Sequence, residues 1–150
     1  MWSSEDGETW TQVTASANWV GRSIRSVVVF NDKIWILGGS DGYSTYYNDV
    51  WSSTYGETWT EVTSSANWGA RQLASVVSFE DEIGIMGGGE TGGAIQNDIW
   101  TSEDGETWTQ ETASANWSAR AYHEVVELDD KLWLIGGNNS GSFGDVWSYE

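Results

Sequence analysis

Short apolar runs, separated by turn residues, recur along the whole chain. In the middle of the sequence, a β-branched apolar run is followed by Glu80-Asp81, a pair typical of a tight turn, and then by a second apolar run that ends in glycines. Two more short runs flank a turn at Asp104-Gly105. Strands this short and this closely spaced leave no room for helices, so the pattern predicts an all-β fold. The four predicted strands, labelled A to D, cover Ser75–Phe79, residues 83–86, residues 98–101 and residues 107–110.

The same pattern returns at a spacing of 49 residues, as Trp2, Trp51 and Trp100 show, and the match extends to individual side chains. A fourth copy begins at Trp147, two residues early because the last loop is shorter. We therefore divide the chain into repeats 2–50, 51–99 and 100–146 and a partial copy 147–150. The residues in phase include Trp19, Trp68 and Trp117, then Arg22, Arg71 and Arg120, then glycine pairs beginning at Gly38, Gly87 and Gly136.

Each unit resembles the Kelch repeat. The shared features are an arginine before a small apolar strand, a strand that ends in Gly-Gly, a third strand that reads Asn-Asp-Val-Trp at residues 48–51, and a tryptophan in the fourth strand. The resemblance covers essentially the whole chain. It implies a β-propeller, in which four-stranded blades pack radially around an axis with strand A innermost.

The turn between strands C and D also resembles the Asp-box of sialidase-type propellers. In the first copy, residues 3–10 read Ser-x-Glu-x-Gly-x-Thr-Trp, which puts Glu5 at the acidic position, whereas Thr54 and Glu103 stand there in the other copies. The family role of this turn is structural, so we expect no activity from it.

Three blades are too few to close a propeller, which has about four to eight. Residues 9–13 form a strand D without its own A and B, and the last A, B and C lack a strand D. Left open, both pieces expose backbone and tryptophan-rich faces, a recognised liability. We therefore expect a six-bladed homodimer, since a trimer needs nine blades. Residues 145–148 of one subunit should pair with residues 9–13 of the other, in place of the short copy at Trp2.

Composition supports a packed β fold and narrows the partners. The chain is 39% hydrophobic, with 12 Trp, 18 Gly, no Pro and no Cys. Its 23 acidic against six basic residues give a net charge of −17, which argues against nucleic acid or an anionic membrane as a partner. The acidity favours solvation or adaptation to high salt over a dedicated cation site. Neither a membrane-spanning stretch nor a signal-peptide pattern is present, and no cofactor or metal is expected.

The resemblance also sorts the charges between two faces of the ring. Most acidic residues fall on the face of the A-to-B and C-to-D turns, whereas arginines enter each strand A on the opposite loop face. Arginine binds carboxylates and phosphates in planar, bidentate fashion, and aromatic rings stack on sugars or peptides. Alternatively, the recurring arginines anchor their loops on carbonyls or a neighbouring carboxylate. The candidate ligand-binding residues are Arg22, Arg71, Arg120, Arg25, His123, Tyr43, Tyr46 and Tyr47.

We expect a non-catalytic, self-assembling scaffold, because regular repeats lack the asymmetric cluster that catalysis needs. The alternative is a carbohydrate- or anionic-peptide-binding module that uses the arginines and aromatic residues of the loop face. A glycosidase or oxidase relic comes third, since a chain with one His and no Cys does not fit a copper oxidase of the galactose-oxidase type.

Overall fold

The computed structural model describes residues 1–149, and every regular element among them is a β-strand. The strands are β1 (Trp2–Ser3), β2 (Thr11–Gln12), β3 (Val27–Phe30), β4 (Lys33–Ser40), β5 (Tyr46–Ser53), β6 (Thr60–Thr63), β7 (Arg71–Gln72), β8 (Ser75–Phe79), β9 (Glu82–Glu90), β10 (Ile95–Ser102), β11 (Thr109–Thr112), β12 (Glu124–Glu127), β13 (Leu132–Ile135) and β14 (Val146–Tyr149). The all-β expectation is confirmed.

The strands form four antiparallel sheets that follow the chain. The first blade is β3-β4-β5-β6, in that order. The second is β8-β9-β10-β11, with the short β7 added to the end of β9 beside β8. The third blade is β12-β13-β14, and a separate hairpin of β1 and β2 precedes them all. The order within each sheet is that of strands A to D, so the two complete blades and the incomplete one share one topology.

The A-to-B turns are two-residue hairpins, as the sequence predicts. Phe79 pairs with Glu82, which leaves Glu80-Asp81 as the turn. In the first blade the turn residues Asn31 and Asp32 both have positive φ angles, 47° and 56°. Two consecutive left-handed residues match the twist of the flanking strands, and Asn and Asp tolerate this conformation better than most residues.

The first glycine of each pair ends the straight part of strand B. Gly38 has a φ of +60°, and a Cβ there would lie 2.6 Å from the carbonyl oxygen of Tyr47. Only glycine fits so close to a backbone oxygen in this conformation. The strand bends at this point and continues towards the loop before strand A, where Ser40 pairs with Ser23.

The core lies between the blades. We call the side of a blade that packs on the next blade its outgoing face and the opposite side its incoming face. Leu37 and Val50 on the outgoing face of the first blade are fully buried against Ile83 and Ile85 of the second. A second cluster joins the second blade to the third through residues such as Met86 and Leu134, and the residues it contains are Val77, Met86, Trp117, Val125, Leu132 and Leu134.

Tryptophans from the D-to-A loops extend this packing. Trp68 meets Trp108 edge to face, with ring centroids 5.8 Å apart, and Trp19 meets Trp59 in the same way at 6.1 Å. Aromatic pairs prefer this geometry, and each ring removes a large apolar area from water. The two pairs therefore extend the apolar clusters from the sheets into the loops before strand A.

Candidate functional site

Each repeated arginine is bound within its own blade. Arg71 donates from Nη1 and Nη2 to the two carboxylate oxygens of Asp98, at 2.7 and 2.8 Å. Its Nε donates to the carbonyl of Gly69 and its Nη1 also to the carbonyl of Gly87. The other blades repeat the arrangement, with Arg22 on Asp49, Val20 and Gly38, and Arg120 on Asp145, Ser118 and Gly136.

These arginines are buried in the chain. The side chains of Arg22, Arg71 and Arg120 are 2%, 1% and 0% exposed. Hydrogen bonds from Arg120 are the main reason that the pKa of Asp145 lies well below its usual range, and the indole of Trp147 adds to the effect. The geometry is that of the loop-anchor alternative, in which each guanidinium ties the loop before strand A to strands B and C.

Two of the three candidate tyrosines are also engaged. The ring of Tyr47 lies under Arg22, with the guanidinium carbon 3.7 Å from its centroid, and the hydroxyl of Tyr46 accepts a hydrogen bond from Gln72. Tyr43 stands in the loop after β4 and is exposed. The backbone of that loop is fixed by Asp41, whose carboxylate accepts hydrogen bonds from three successive amides, including that of Tyr43.

Arg25 and His123 occupy the same repeat position but have opposite environments. The side chain of Arg25 is exposed, lies 3.9 Å from Glu124 and approaches the ring of Tyr122. His123 is buried against Trp117, and neither ring nitrogen makes a short, well-aligned hydrogen bond. Burial and the charge of Arg120 lower the pKa of His123 to about 4, although a contact with the Met86 backbone opposes them. Of the eight candidate residues, Arg25 and Tyr43 are the ones that are exposed.

Of the two sheet faces at the ends of the array, one is exposed and the other is only partly covered. On the outgoing face of the third blade, Ile135 is 47% exposed, although its counterpart Leu37 in the first blade is fully buried. The neighbouring residues Val126, Leu128 and Val146 are exposed as well. On the incoming face of the first blade lies a groove of about 410 Å³, whose apolar lining includes Trp19, Ile24, Val27, Ile34 and Ile36.

The N-terminal hairpin reproduces the C-to-D pairing of the complete blades. Trp2 pairs with Gln12 just as Trp51 pairs with Glu61 one repeat later. Within one chain, β1 therefore fills the place beside β2 that we expected residues 145–148 of a partner to take. Trp10, however, remains 56% exposed, whereas its counterparts Trp59 and Trp108 are 2% and 4% exposed.

The acidic residue of the C-to-D turn is not the one that the sequence comparison selected. Asp6, rather than Glu5, accepts hydrogen bonds from the amides of Glu8 and Thr9 and from the hydroxyl of Ser4. The Thr9 bond first, and then the others, lower the pKa of Asp6 to about 2. Asp104 makes the same turn in the second blade in place of Glu103, and Tyr55 stands at this position in the first blade. The turn reads Ser-x-Asp-Gly-x-Thr-Trp at residues 4–10, one residue shorter than the Asp-box pattern. The longer pattern therefore placed the acidic position on Glu5 instead of Asp6.

Sequence reasoning also missed Asp49, Asp98 and Asp145 as the partners of the arginines. The signal was present, because an aspartate stands two residues before the strand C tryptophan in every complete copy. The tryptophan itself uses that carboxylate, since Nε1 of Trp100 donates to Asp98 at 2.8 Å.

A family model described as the KLHDC2/KLHL20/DRC7 Kelch-repeats domain matches residues 2–150. A comparison with curated proteins found no match. Among residues 1–149, no helix is long and apolar enough to cross a membrane, and no group of three or more His, Cys, Asp or Glu side chains is arranged to hold a metal ion.

Proposed function

This chain belongs to the Kelch-repeat family, whose domains are generally non-catalytic modules of protein interaction, and we propose that two copies of it assemble into a six-bladed scaffold. The observation that carries the proposal is the exposure of Ile135 on the outgoing face of the third blade. The same position is buried in both preceding blades, as Leu37 and Met86. Because this apolar position lies in a buried interface in the first two blades, we expect another surface to cover it in the third blade as well.

The repeat also identifies what covers it. In the first interface, the outgoing face of one blade meets Ile83 and Ile85 on the incoming face of the next. Their counterparts in the first blade are Ile34 and Ile36, which lie at the floor of the open groove, where Ile36 is already buried. The exposed outgoing face and this groove therefore belong to the same kind of interface. A second copy can present its first blade to the third blade of its partner, and two such seams complete a ring.

The tryptophans support the same arrangement. Trp19 pairs with Trp59 and Trp68 pairs with Trp108, always at the same distance along the sequence. Continued by one repeat, the series places Trp10 of the partner beside Trp117. This contact buries the exposed indole of Trp10 in a setting that its counterparts already occupy.

Strand exchange completes each seam blade. Among the described residues, β14 pairs only with β13, so its outer edge is free. In the ring, β14 of one copy lies beside β2 of the other and displaces β1. The exchange extends the pairing, because β1 covers two residues and β14 covers four. It also removes an exposed strand edge from each copy.

Solution mass tests the proposal. Light scattering should give twice the 16.6 kDa of the chain. Ile135→Lys places a charge in the seam and should yield monomer. Val29→Lys is the matched control, because Val29 is exposed and the other repeats carry Ser78 and Glu127 at its position. If the parent chain is a stable monomer, the closed ring is wrong. If it is a trimer, the ring does not have six blades.

A second candidate function is the binding of a carbohydrate or an anionic peptide by the loop face. It is favoured by Tyr43, whose exposed ring stands on a loop that Asp41 holds in place. Binding on a glycan array, or of an acidic peptide, should be lost in Tyr43→Ala and weakened in Arg25→Ala. A signal that survives both substitutions rules out this surface.

A further inference from the structure

We propose that Arg25 of one copy and Glu124 of the other form an ion pair at each seam, and that this pair determines which blades meet. The inference rests on the proposed ring and names the contact that gives it its register. The inference follows from two neighbouring positions of strand A. In the interfaces inside the chain, each of these positions contacts an adjacent blade.

The position of Glu124 faces the following blade. Its counterpart in the first blade, Ser26, donates from Oγ to the carbonyl of Ala74 in the second blade at 3.0 Å. Its counterpart in the second blade, Ser75, accepts from the amide of Val125 in the third blade at 2.8 Å. In the third blade this position is Glu124, which faces the seam.

The position of Arg25 faces the preceding blade. Its counterpart in the third blade is His123, and a Cβ built on Gly87 of the second blade would lie 3.0 Å from His123 Cε1. The side chain therefore reaches back across the interface. In the first blade this position is Arg25, and the blade before it in the ring is the third blade of the partner.

The two positions meet, because Ser26 bonds to the backbone of Ala74, which is the counterpart of Arg25 in the second blade. In the two interfaces inside the chain, these positions are Ser26 against Ala74 and Ser75 against His123. At the seam the same two positions are an arginine and a glutamate. Within the single chain the two side chains are 53% and 71% exposed and make a long contact of 3.9 Å with each other. An exposed pair at this distance contributes little, so a pair at the seam can replace it.

An opposite-charge pair at the seam gives the ring its specificity. Among residues 1–149, the two internal interfaces bury apolar residues with serine hydrogen bonds and have no ion pair at these positions, so apolar contact alone does not distinguish them from the seam. Complementary charges favour one partner, and like charges in the same place suppress wrong ones. Arg25 and Glu124 thus direct the third blade of one copy to the first blade of another.

Charge reversal tests the inference on the full chain. R25E and E124R each place two like charges at both seams, and the dimer dissociation constant should rise on the order of 100-fold. The double variant R25E/E124R restores opposite charges and should dimerise like the parent. Sedimentation equilibrium measures the dissociation constants, and circular dichroism verifies that each variant is folded.

Mixing separates a contact between copies from one within a chain, which matters because Arg25 also lies 3.9 Å from Glu124 of its own chain. An equimolar mixture of R25E and E124R has opposite charges at both seams of a heterodimer, whereas the pair inside each chain stays repulsive. We expect the mixture to form heterodimers as tightly as the parent forms homodimers.

The outcomes distinguish this inference from the proposed ring. If R25E and E124R dimerise as tightly as the parent, the ring stands and the seam pair is wrong. If the double variant recovers but the mixture does not, the pair acts within one chain and the inference is again overturned. A monomeric parent chain removes the ring and the pair together.

Discussion

Arg71 and Asp98 form a two-pronged ion pair inside the second blade, with both N–O distances below 3 Å and both side chains buried. A buried pair of this kind gains little over an apolar replacement, because both charges lose their hydration. Its value lies in the order it imposes. The guanidinium also binds the carbonyl of Gly69 in the loop and that of Gly87 in β9, so one side chain holds the entry to strand A against strands B and C.

Removal of one partner should be costly. Asp98→Asn removes the carboxylate charge and leaves the buried guanidinium with Glu90, at 3.0 Å, as its remaining ion-pair partner, so the free energy of unfolding should fall by about 3 kcal/mol. Urea denaturation at fixed protein concentration measures the change. Asp81→Asn, at an exposed turn position, is the control and should change stability by less than about 0.5 kcal/mol. Equal effects of the two substitutions would contradict the anchoring role.

The first blade offers a site for stabilisation. Its C-to-D turn has the serine bond of the others, since Ser53 Oγ accepts from the amide of Gly56 at 2.8 Å, but Tyr55 stands where Asp104 accepts two amides. Tyr55→Asp should supply those bonds and raise stability by about 1 kcal/mol. Tyr55→Ala removes the same exposed ring without adding an acceptor, so a gain shared by both variants would refute the hydrogen-bond explanation.

His123 should make stability depend on pH. Because the pKa of the folded state, about 4, lies below the ordinary value of 6.5, the unfolded chain takes up a proton first as the pH falls. Stability is therefore retained above pH 6.5 and lost towards pH 4, with a decrease of about 2 kcal/mol between pH 7 and pH 5.

The matched variant is His123→Phe, which keeps a ring against Trp117 and has no group to titrate in that range. Denaturation of both proteins at pH 7 and pH 5 should show the decrease in the parent alone. The carboxylates of Asp6 and Asp145 titrate below the window, since their pKa values are lowered. An equal decrease in the variant would exclude His123 as its source.

Two truncations test the strand exchange at the seam. Deletion of residues 1–4 removes β1, which β14 of a second copy displaces in the proposed ring, and should leave the proposed dimer intact. Deletion of residues 1–13 also removes β2 and with it strand D of both seam blades, and should yield monomer or aggregate. Light scattering measures whether each truncated protein is a dimer. Loss of the dimer in the shorter deletion would mean that β1 keeps its place.

Salt should stabilise the protein. The net charge of −17 makes the chain repel itself, and salt screens exposed charges over roughly 10 Å at 0.1 M. The buried pairs, such as Arg71 with Asp98, are screened much less. The melting temperature should therefore rise with NaCl. A flat or falling curve would show that the acidic turns are already compensated.

The repeat made most of the fold predictable, because a pattern found three times limits the strands better than any single copy. Strand A of the second blade was predicted at Ser75–Phe79 and is β8. The ends of the longer strands were not predicted, since β9 continues through its glycines to Glu90, where β7 pairs with it. That continuation depends on backbone contacts which no local propensity encodes.

The site was harder to predict, because the same residue type serves two purposes. An arginine at the entry to strand A can bind either a ligand or a carboxylate of its own blade. In the second blade, the position of Asp98 next to Arg71 shows which of the two it binds. Arg25 and His123 show the reverse problem. They share one repeat position, yet Arg25 is exposed and His123 is buried. The difference arises because the second blade packs against His123, whereas Arg25 lies in the first blade of the chain.

The uncovered faces at the two ends of the array have a consequence for assembly in general. A head-to-tail contact between unlike faces does not limit itself to two copies, and it closes only when the rotation between successive blades sums to a full turn. The first glycine of each pair lies where successive blades meet, since a Cβ on Gly38 would lie 3.0 Å from the carbonyl oxygen of Arg71 in the next blade. Substitutions that change the angle between blades without weakening their contact should therefore convert a closed particle into an open helical filament.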